Sequence, residues 1–246
     1  MLNGKADVAA FARGAPRLES FQAEPLTLSG VELLQVTYEL GGCPPEAMFP
    51  PALAPTLPVL AVLALWRADS GPLGRFALAQ LRLSCRSGVR PRQLLVGSFA
   101  DGEPARAGLN ARFAFGARPA RIALERFYDR VEAAVDADGA SALEVGALAP
   151  LPLAASDLQF FSSVHRAETP QGLRLVQIDS EIHVTRAERA QPRLTHFAPA
   201  AFGLPAGARL AYPVAAFVAL CDIALPRVRF VCRPDVPAFA GTERVS

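Results

Sequence analysis

Prolines and glycines set the first limit on what this chain can fold into. There are 22 and 18 of them in 246 residues, spread along the whole length, so long helices are excluded and many short strands joined by turns are favoured. Val31 to Glu39 is rich in β-branched and aromatic side chains, as strands are. Pro44-Pro45-Glu46 then opens a short helix through Phe49, and Pro50-Pro51 stops it. Leu57 to Trp66 is a continuous apolar run that suits a strand covered on both faces, although a buried helix has the same pattern. From Arg75 to Arg86 the residues alternate. Ala77, Ala79, Leu81, Leu83 and Cys85 take one face, while Leu78, Gln80, Arg82, Ser84 and Arg86 take another that meets water or a cavity.

Gln93 to Phe99 and Ile122 to Val135 continue the strand pattern, and Asp101 to Phe115 between them admits a helical turn or two. Leu173 to Arg186 alternates most clearly, with Val176, Ile178, Ile182 and Val184 opposite Gln177, Asp179, Glu181, His183 and Thr185. Tyr212 to Arg233 ends the pattern with apolar strands split at Pro226. The fold class expected is mainly β (α+β) with a few short helices. No charge block or low-complexity linker divides the chain.

Hydrophobic residues make up 51% and charged residues 20%, enough to bury a core and too apolar for a disordered chain. A formal net charge of +2 gives no electrostatic footprint for nucleic acid or an anionic membrane, so neither is expected as a partner. The longest apolar run is half a membrane span, and the N-terminus has no apolar stretch of signal-peptide length; a soluble cytoplasmic protein is the expectation. Cys43, Cys85, Cys221 and Cys232 lie far apart with no C-x-x-C pair, so they read as buried thiols. G-x-G-x-x-G, Walker, H-E-x-x-H and G-x-S-x-G patterns are absent. Asp179, Glu181 and His183 share a strand face that could hold a metal or move a proton. Such alternation is also what the wet side of a strand requires, so no metal and no cofactor is expected.

Arginine dominates the cations. Of 25 basic residues only Lys5 is a lysine. Arg82, beside Gln80 and Ser84, has the fork of donors that suits a carboxylate, and could equally be a surface arginine. Tyr38 and Trp66 read as packing residues.

Four segments taken in order resemble the acetoacetate decarboxylase superfamily. VTYELGGCPPEAMFPPALAPTLPVLAVLALW (36–66) is similar to that family's strand, acidic proline turn, short helix and core strand. GRFALAQLRLSC (74–85) resembles its cavity-facing strand, and PARAGLNARFAFGARPARIALERF (104–127) occupies the place of its lysine segment. YPVAAFVALCDIALPRVRFV (212–231) looks like its closing strand. The resemblance implies one domain over 1–246, with a core of about 25–235 behind an N-terminal arm, 1–24. It also implies a curved antiparallel sheet closing into a barrel-like cone around a cavity, and a homo-oligomer.

The family's chemistry uses a lysine amine that condenses with a keto-acid carbonyl, activated by apolar surroundings or a neighbouring cation. Here the resemblance puts Ala120 at the nucleophile, Arg121 at the adjacent cation, Phe76 at the family's tyrosine and Leu78 at its glutamate. Gly108 to Pro119 is longer than the family's stretch and takes an insertion. No lysine follows Lys5, so no register supplies the amine, and an arginine is too basic to replace it.

What the resemblance leaves is a cavity lined by Tyr38, Leu78, Gln80, Arg82, Phe115 and Ala120. Arg118, Arg121 and Arg112 stand at its entrance, and Arg121 and Arg118 are the candidate oxyanion-stabilising pair. Glu39, Glu125 and Glu181 are candidate proton carriers. The expected partner is a small carbonyl or carboxylate compound, β-keto or polyketide-like, bound without a Schiff base and open to non-covalent lyase, cyclase or dehydratase chemistry. The alternative is a pseudoenzyme kept for assembly or regulation, its pocket filled by side chains.

Overall fold

The structure, a computed structural model, describes residues 3–245. Its strands are β1 (Leu26–Gly41), β2 (Leu53–Pro55), β3 (Leu60–Ala68), β4 (Phe76–Ser87), β5 (Arg90–Ala100), β6 (Arg118–Pro119), β7 (Arg121–Arg126), β8 (Arg130–Ala137), β9 (Ala140–Leu153), β10 (Ser163–Thr169), β11 (Gly172–Ile178), β12 (Glu181–Phe197), β13 (Arg209–Leu225), β14 (Phe230–Cys232) and β15 (Thr242–Arg244). Three short helices accompany them: α1 (Val8–Ala12), α2 (Glu103–Phe113) and α3 (Ala238–Gly241). The expected proline-started turn is a 3-10 helix, Pro45–Met48. Among the described residues no helix is long and apolar enough to cross a membrane.

All the strands join one sheet in the order β15-β14-β11-β10-β5-β4-β3-β1-β13-β12-β9-β8-β7, with β2 on β4 and β6 on β5 beside this path. Its ladders are antiparallel except those of β5 with β10 and with β6. The sheet curves as expected, but its hydrogen bonds do not close it into a barrel. At one end β15 has only three residues, all exposed. At the other, β7 lies across the interior against β3 and β4. Arg67 ties it there: its Nη1 donates to the Leu124 carbonyl at 2.7 Å, and its Nη2 meets Glu32 at 2.7 Å.

The central strands are buried on both faces. On the first, Leu34, Val36 and Tyr38 of β1 and Ala61, Leu63 and Leu65 of β3 pack with Ile122, Leu124, Val131 and Val145 from the folded-over hairpins. On the second, Leu33 of β1, Trp66 of β3 and Phe76 and Leu78 of β4 meet Ala105, Leu109 and Phe113 of α2, together with Phe115. The apolar run ending at Trp66 therefore forms a strand covered on both sides. The alternating segment 173–186 splits into β11 and β12 at Asp179, whose carboxylate is bound by Arg92 of β5. Gly97 lets the 3-10 turn Pro199–Phe202 seat on β5, because a Cβ there would stand 2.7 Å from the Phe202 carbonyl oxygen.

Candidate functional site

The second face of β4 turns polar after Leu78. Gln80 is 1% exposed and Arg82 8%, so the face is neither wet nor a surface. Both arginine hydrogen bonds, from Nε at 2.9 Å and from Nη2, go to Gln80 Oε1. The guanidinium carbon lies 5.7 Å from the centroid of Trp66. Burial pulls the Arg82 pKa down to about 10. Among the described residues no acidic side chain pairs with it. The contrast is Arg92, equally buried, which holds Asp179 and the Gln177 Oε1 at 2.9 Å.

Two polar atoms beside Arg82 have no partner among the described residues: Gln80 Nε2 and Ser98 Oγ, on residues paired across β4 and β5. Next to them β10 contributes Ser163 and His165, both buried. His165 Nδ1 lies 2.7 Å from the Phe113 carbonyl, which can only accept, so Nδ1 carries the proton and Nε2 accepts from the Ser163 hydroxyl at 2.7 Å. Burial, helped by the charge of Arg82, pushes the imidazole pKa down to about 3 against the hydrogen bond to Phe113. This histidine is neutral in the folded protein.

Local structure after α2 sets the wall. The helix ends at Ala114 in the left-handed region, and Asn110 then clamps Ala117 from both sides, its Oδ1 accepting from the Ala117 N–H at 2.7 Å and its Nδ2 donating to the Ala117 carbonyl at 3.0 Å. Phe115 is thereby held edge-on to the His165 ring at 4.9 Å and to Trp66 at 6.2 Å. A cavity of about 50 Å³ remains, lined by Ser98, Phe115, Gly116, His165 and Arg166 and covered by Pro16 of the N-terminal arm.

Of the residues expected to line a pocket, Leu78, Gln80, Arg82 and Phe115 are thus on the second face. Tyr38 and Ala120 pack on the first, whereas Ala117, three residues before Ala120, joins Phe115 in the cluster that holds Leu78. Arg118 is half exposed, stacked 4.5 Å from the Phe99 centroid, with Nη2 donating to the Ala201 carbonyl and Nη1 3.9 Å from Asp138. Arg121 is exposed on β7, opposite Asp136. Arg112 sits half-buried in the last turn of α2. Glu125 and Glu181 are exposed and Glu39 half-buried, and none of the three bonds to Arg82. The exposed carboxylate and imidazole of Glu181 and His183 do not join Asp179, and no cluster of metal ligands occurs among the described residues. Lys5 is exposed, its backbone N–H bonded to the Glu46 carbonyl.

Sequence reasoning did not find Ser98, Ser163 or His165. The one available signal was the strand alternation of Ser163, His165 and Ala167, which puts small polar groups on an otherwise apolar face.

An open antiparallel sheet wrapped over a helix-covered, partly polar interior defines an architecture shared with known enzymes. No family model matches the sequence, and no curated protein does. Solved structures do match. An acetoacetate decarboxylase from Legionella pneumophila is 17% identical with a TM-score of 0.71, over 93% of this chain and 96% of that one. The enduracididine biosynthesis enzyme MppR, complexed with the condensation product of pyruvate and imidazole 4-carboxaldehyde, is 18% identical with a TM-score of 0.67, over 85% and 90%. An acetoacetate decarboxylase-like enzyme from Sphingomonas wittichii is 16% identical with a TM-score of 0.63, over 85% and 94%. The chain has the acetoacetate decarboxylase fold.

Proposed function

We propose that this protein uses the acetoacetate decarboxylase fold to bind a small carboxylate or β-keto compound without forming a Schiff base. One observation carries the proposal: among the described residues the buried guanidinium of Arg82 has no carboxylate partner, and beside it Gln80 Nε2 and Ser98 Oγ are unpaired. Leaving those two buried groups unpaired costs about 1–3 kcal/mol each, and an anion bound between them would satisfy both in the field of the Arg82 guanidinium. The sequence supports the absence of covalent chemistry, since its one lysine lies exposed near the N-terminus. In this reading Arg82, rather than Arg118 or Arg121, faces the negative oxygen. Any turnover is of the lyase, cyclase or dehydratase kind, by stabilising an enolate.

A second reading, a scaffold without catalysis, draws support from Leu78 and Phe115 filling the interior down to about 50 Å³. Titration with acetoacetate separates the two, read by fluorescence of Trp66, the chain's one tryptophan. The expected result is a saturable change that Arg82→Gln weakens at least tenfold, with no mass increment after borohydride reduction. No saturable change would favour the scaffold, and a reduced adduct would overturn the non-covalent reading.

A further inference from the structure

A second space adjoins the small cavity. A groove of about 270 Å³ shares Leu95, Val96 and Arg166 with it and is otherwise lined mainly by apolar side chains, among them Ala10, Phe11, Met48 and Leu204. The N-terminal arm forms its roof, and the arm is docked. The N–H groups of Gly4, Lys5 and Ala6 bond to the carbonyls of Leu53, Glu46 and Phe49 at 2.7–2.9 Å, and Leu18 and Pro16 pair with Glu168. The one acid in the groove, Asp7, is engaged in capping α1 through the Ala10 N–H at 2.6 Å. Arg166 stands at the junction, bonded to the Phe11 carbonyl at 2.9 Å, with no acidic partner among the described residues.

Together the two spaces have one polar, cationic end and one apolar arm. The small cavity, at about 50 Å³, has room for only a few waters at about 10–15 Å³ of such space each, so only a small head group fits there. The groove is about five times larger and leads outward.

We infer that the ligand is an amphipathic carboxylate, its head in the cavity beside Ser98, His165 and Arg166 and in the field of Arg82, its hydrocarbon tail in the groove under residues 6–11. The inference rests on the carboxylate reading above and adds the tail. Neither groove nor cavity explains the other alone: an apolar groove has no need of an arginine without an acidic partner at its junction with the cavity, and a site for acetate would not need a groove. Burying the tail should tighten binding about fourfold per methylene, the fold-change equivalent to about 0.8 kcal/mol.

The test is a titration of Trp66 fluorescence in the full chain with acetate, butanoate, hexanoate, octanoate and 1-octanol. Affinity is expected to climb along the acids, with octanoate at least 100-fold tighter than acetate and 1-octanol far weaker than octanoate. Ala10→Phe, which fills the groove from α1 and lies off the small cavity, should remove most of that gain while leaving acetate binding intact. If acetate and octanoate bind equally, the tail inference falls and the carboxylate reading is judged on acetate and acetoacetate alone; if 1-octanol matches octanoate, the groove takes the tail but the carboxylate head falls, and with it the amphipathic-carboxylate inference. If none of the acids binds, both fall. Because Ala10→Phe could disturb α1, its acetate affinity serves as the folding control, and the wild-type chain-length series decides independently of it.

Discussion

Removing the Arg82 guanidinium alone would strand Gln80, whose Oε1 now accepts both of its hydrogen bonds. Arg82→Met should therefore cost about 1–3 kcal/mol from the orphaned amide, less whatever is recovered by no longer burying a charge. The double variant Gln80→Leu/Arg82→Met removes both groups and fills the space with apolar atoms. It should be at least as stable as the parent in urea denaturation, and more stable than the single variant. A double variant weaker than Arg82→Met would show that the pair holds the fold rather than waiting for a ligand. His165 gives a second expectation. Its folded pKa, about 3, lies below the usual 6.5, so the unfolded chain binds the proton first as pH falls. The neutral imidazole's contribution is complete above pH 6.5 and is lost as pH drops from there toward 3. Stability should fall in that window by up to about 1.4 kcal/mol per pH unit from this group. His165→Gln should flatten that part of the slope; parallel profiles for the two proteins would refute the assignment.

At the scale of elements, the arm's docking depends on Gly4. A Cβ at that position would stand 2.0 Å from the Phe49 carbonyl oxygen and 2.4 Å from that of Pro50, both backbone atoms that cannot swing aside. Gly4→Ala should undock residues 4–11 while leaving the sheet intact. Trypsin should then cut after Arg13 at least tenfold faster, with the thermal midpoint changed by only a few degrees, and unchanged cleavage would mean that the arm is held elsewhere. How far the elements were legible follows from what each had to satisfy. Strands β3, β4 and β5 could be read because apolar runs and alternation respond to the local face each residue meets. The break at Asp179 could not, since it depends on Arg92, 87 residues away in sequence. The candidate site was half legible for the same reason. Gln80 and Arg82 share a strand with the motif that drew attention to them, whereas Ser98, Ser163 and His165 join them only through the β4–β5 and β5–β10 ladders. The segment after α2 was misleading as a line of letters: Ala120 and Leu78 look like two emptied positions of one pocket, yet β6 and the turn before it carry Ala120 to the opposite face, while Ala117 stays on the face of Leu78.

For the whole molecule the open ends of the sheet raise the question of whether it unfolds as one unit, and its thiols can answer it. All four cysteines are free. Cys85, on the first face of β4, and Cys221, on the second face of β13, are buried in the two halves of the core, and burial pushes both thiols up to about 12. Cys232 is buried at the β14 end of the sheet and also raised by burial. Only Cys43 is partly open to solvent, with Met48 Sδ at 3.4 Å from its sulfur. Because the thiolate is the reacting form, the native protein should alkylate at Cys43 first, with Cys85 and Cys221 waiting on global opening. Cys232 distinguishes the two ways the molecule can open. It is covered by α3 and β15, whose Thr242 faces it across the ladder and whose hydroxyl is tied to the Ala238 carbonyl at 2.6 Å. If the short strands at that end are one cooperative unit with the core, mass spectrometry after timed alkylation should show Cys232 reacting in step with Cys85 and Cys221. If β15 and α3 lift away separately, Cys232 should react at a rate insensitive to the Gln80/Arg82 substitutions that change core stability. The core cysteines would still follow those substitutions. We expect cooperative behaviour, because Val231 and Cys232 sit under the same apolar cover as the β11 residues they pair with, so exposing either also uncovers core residues of β11.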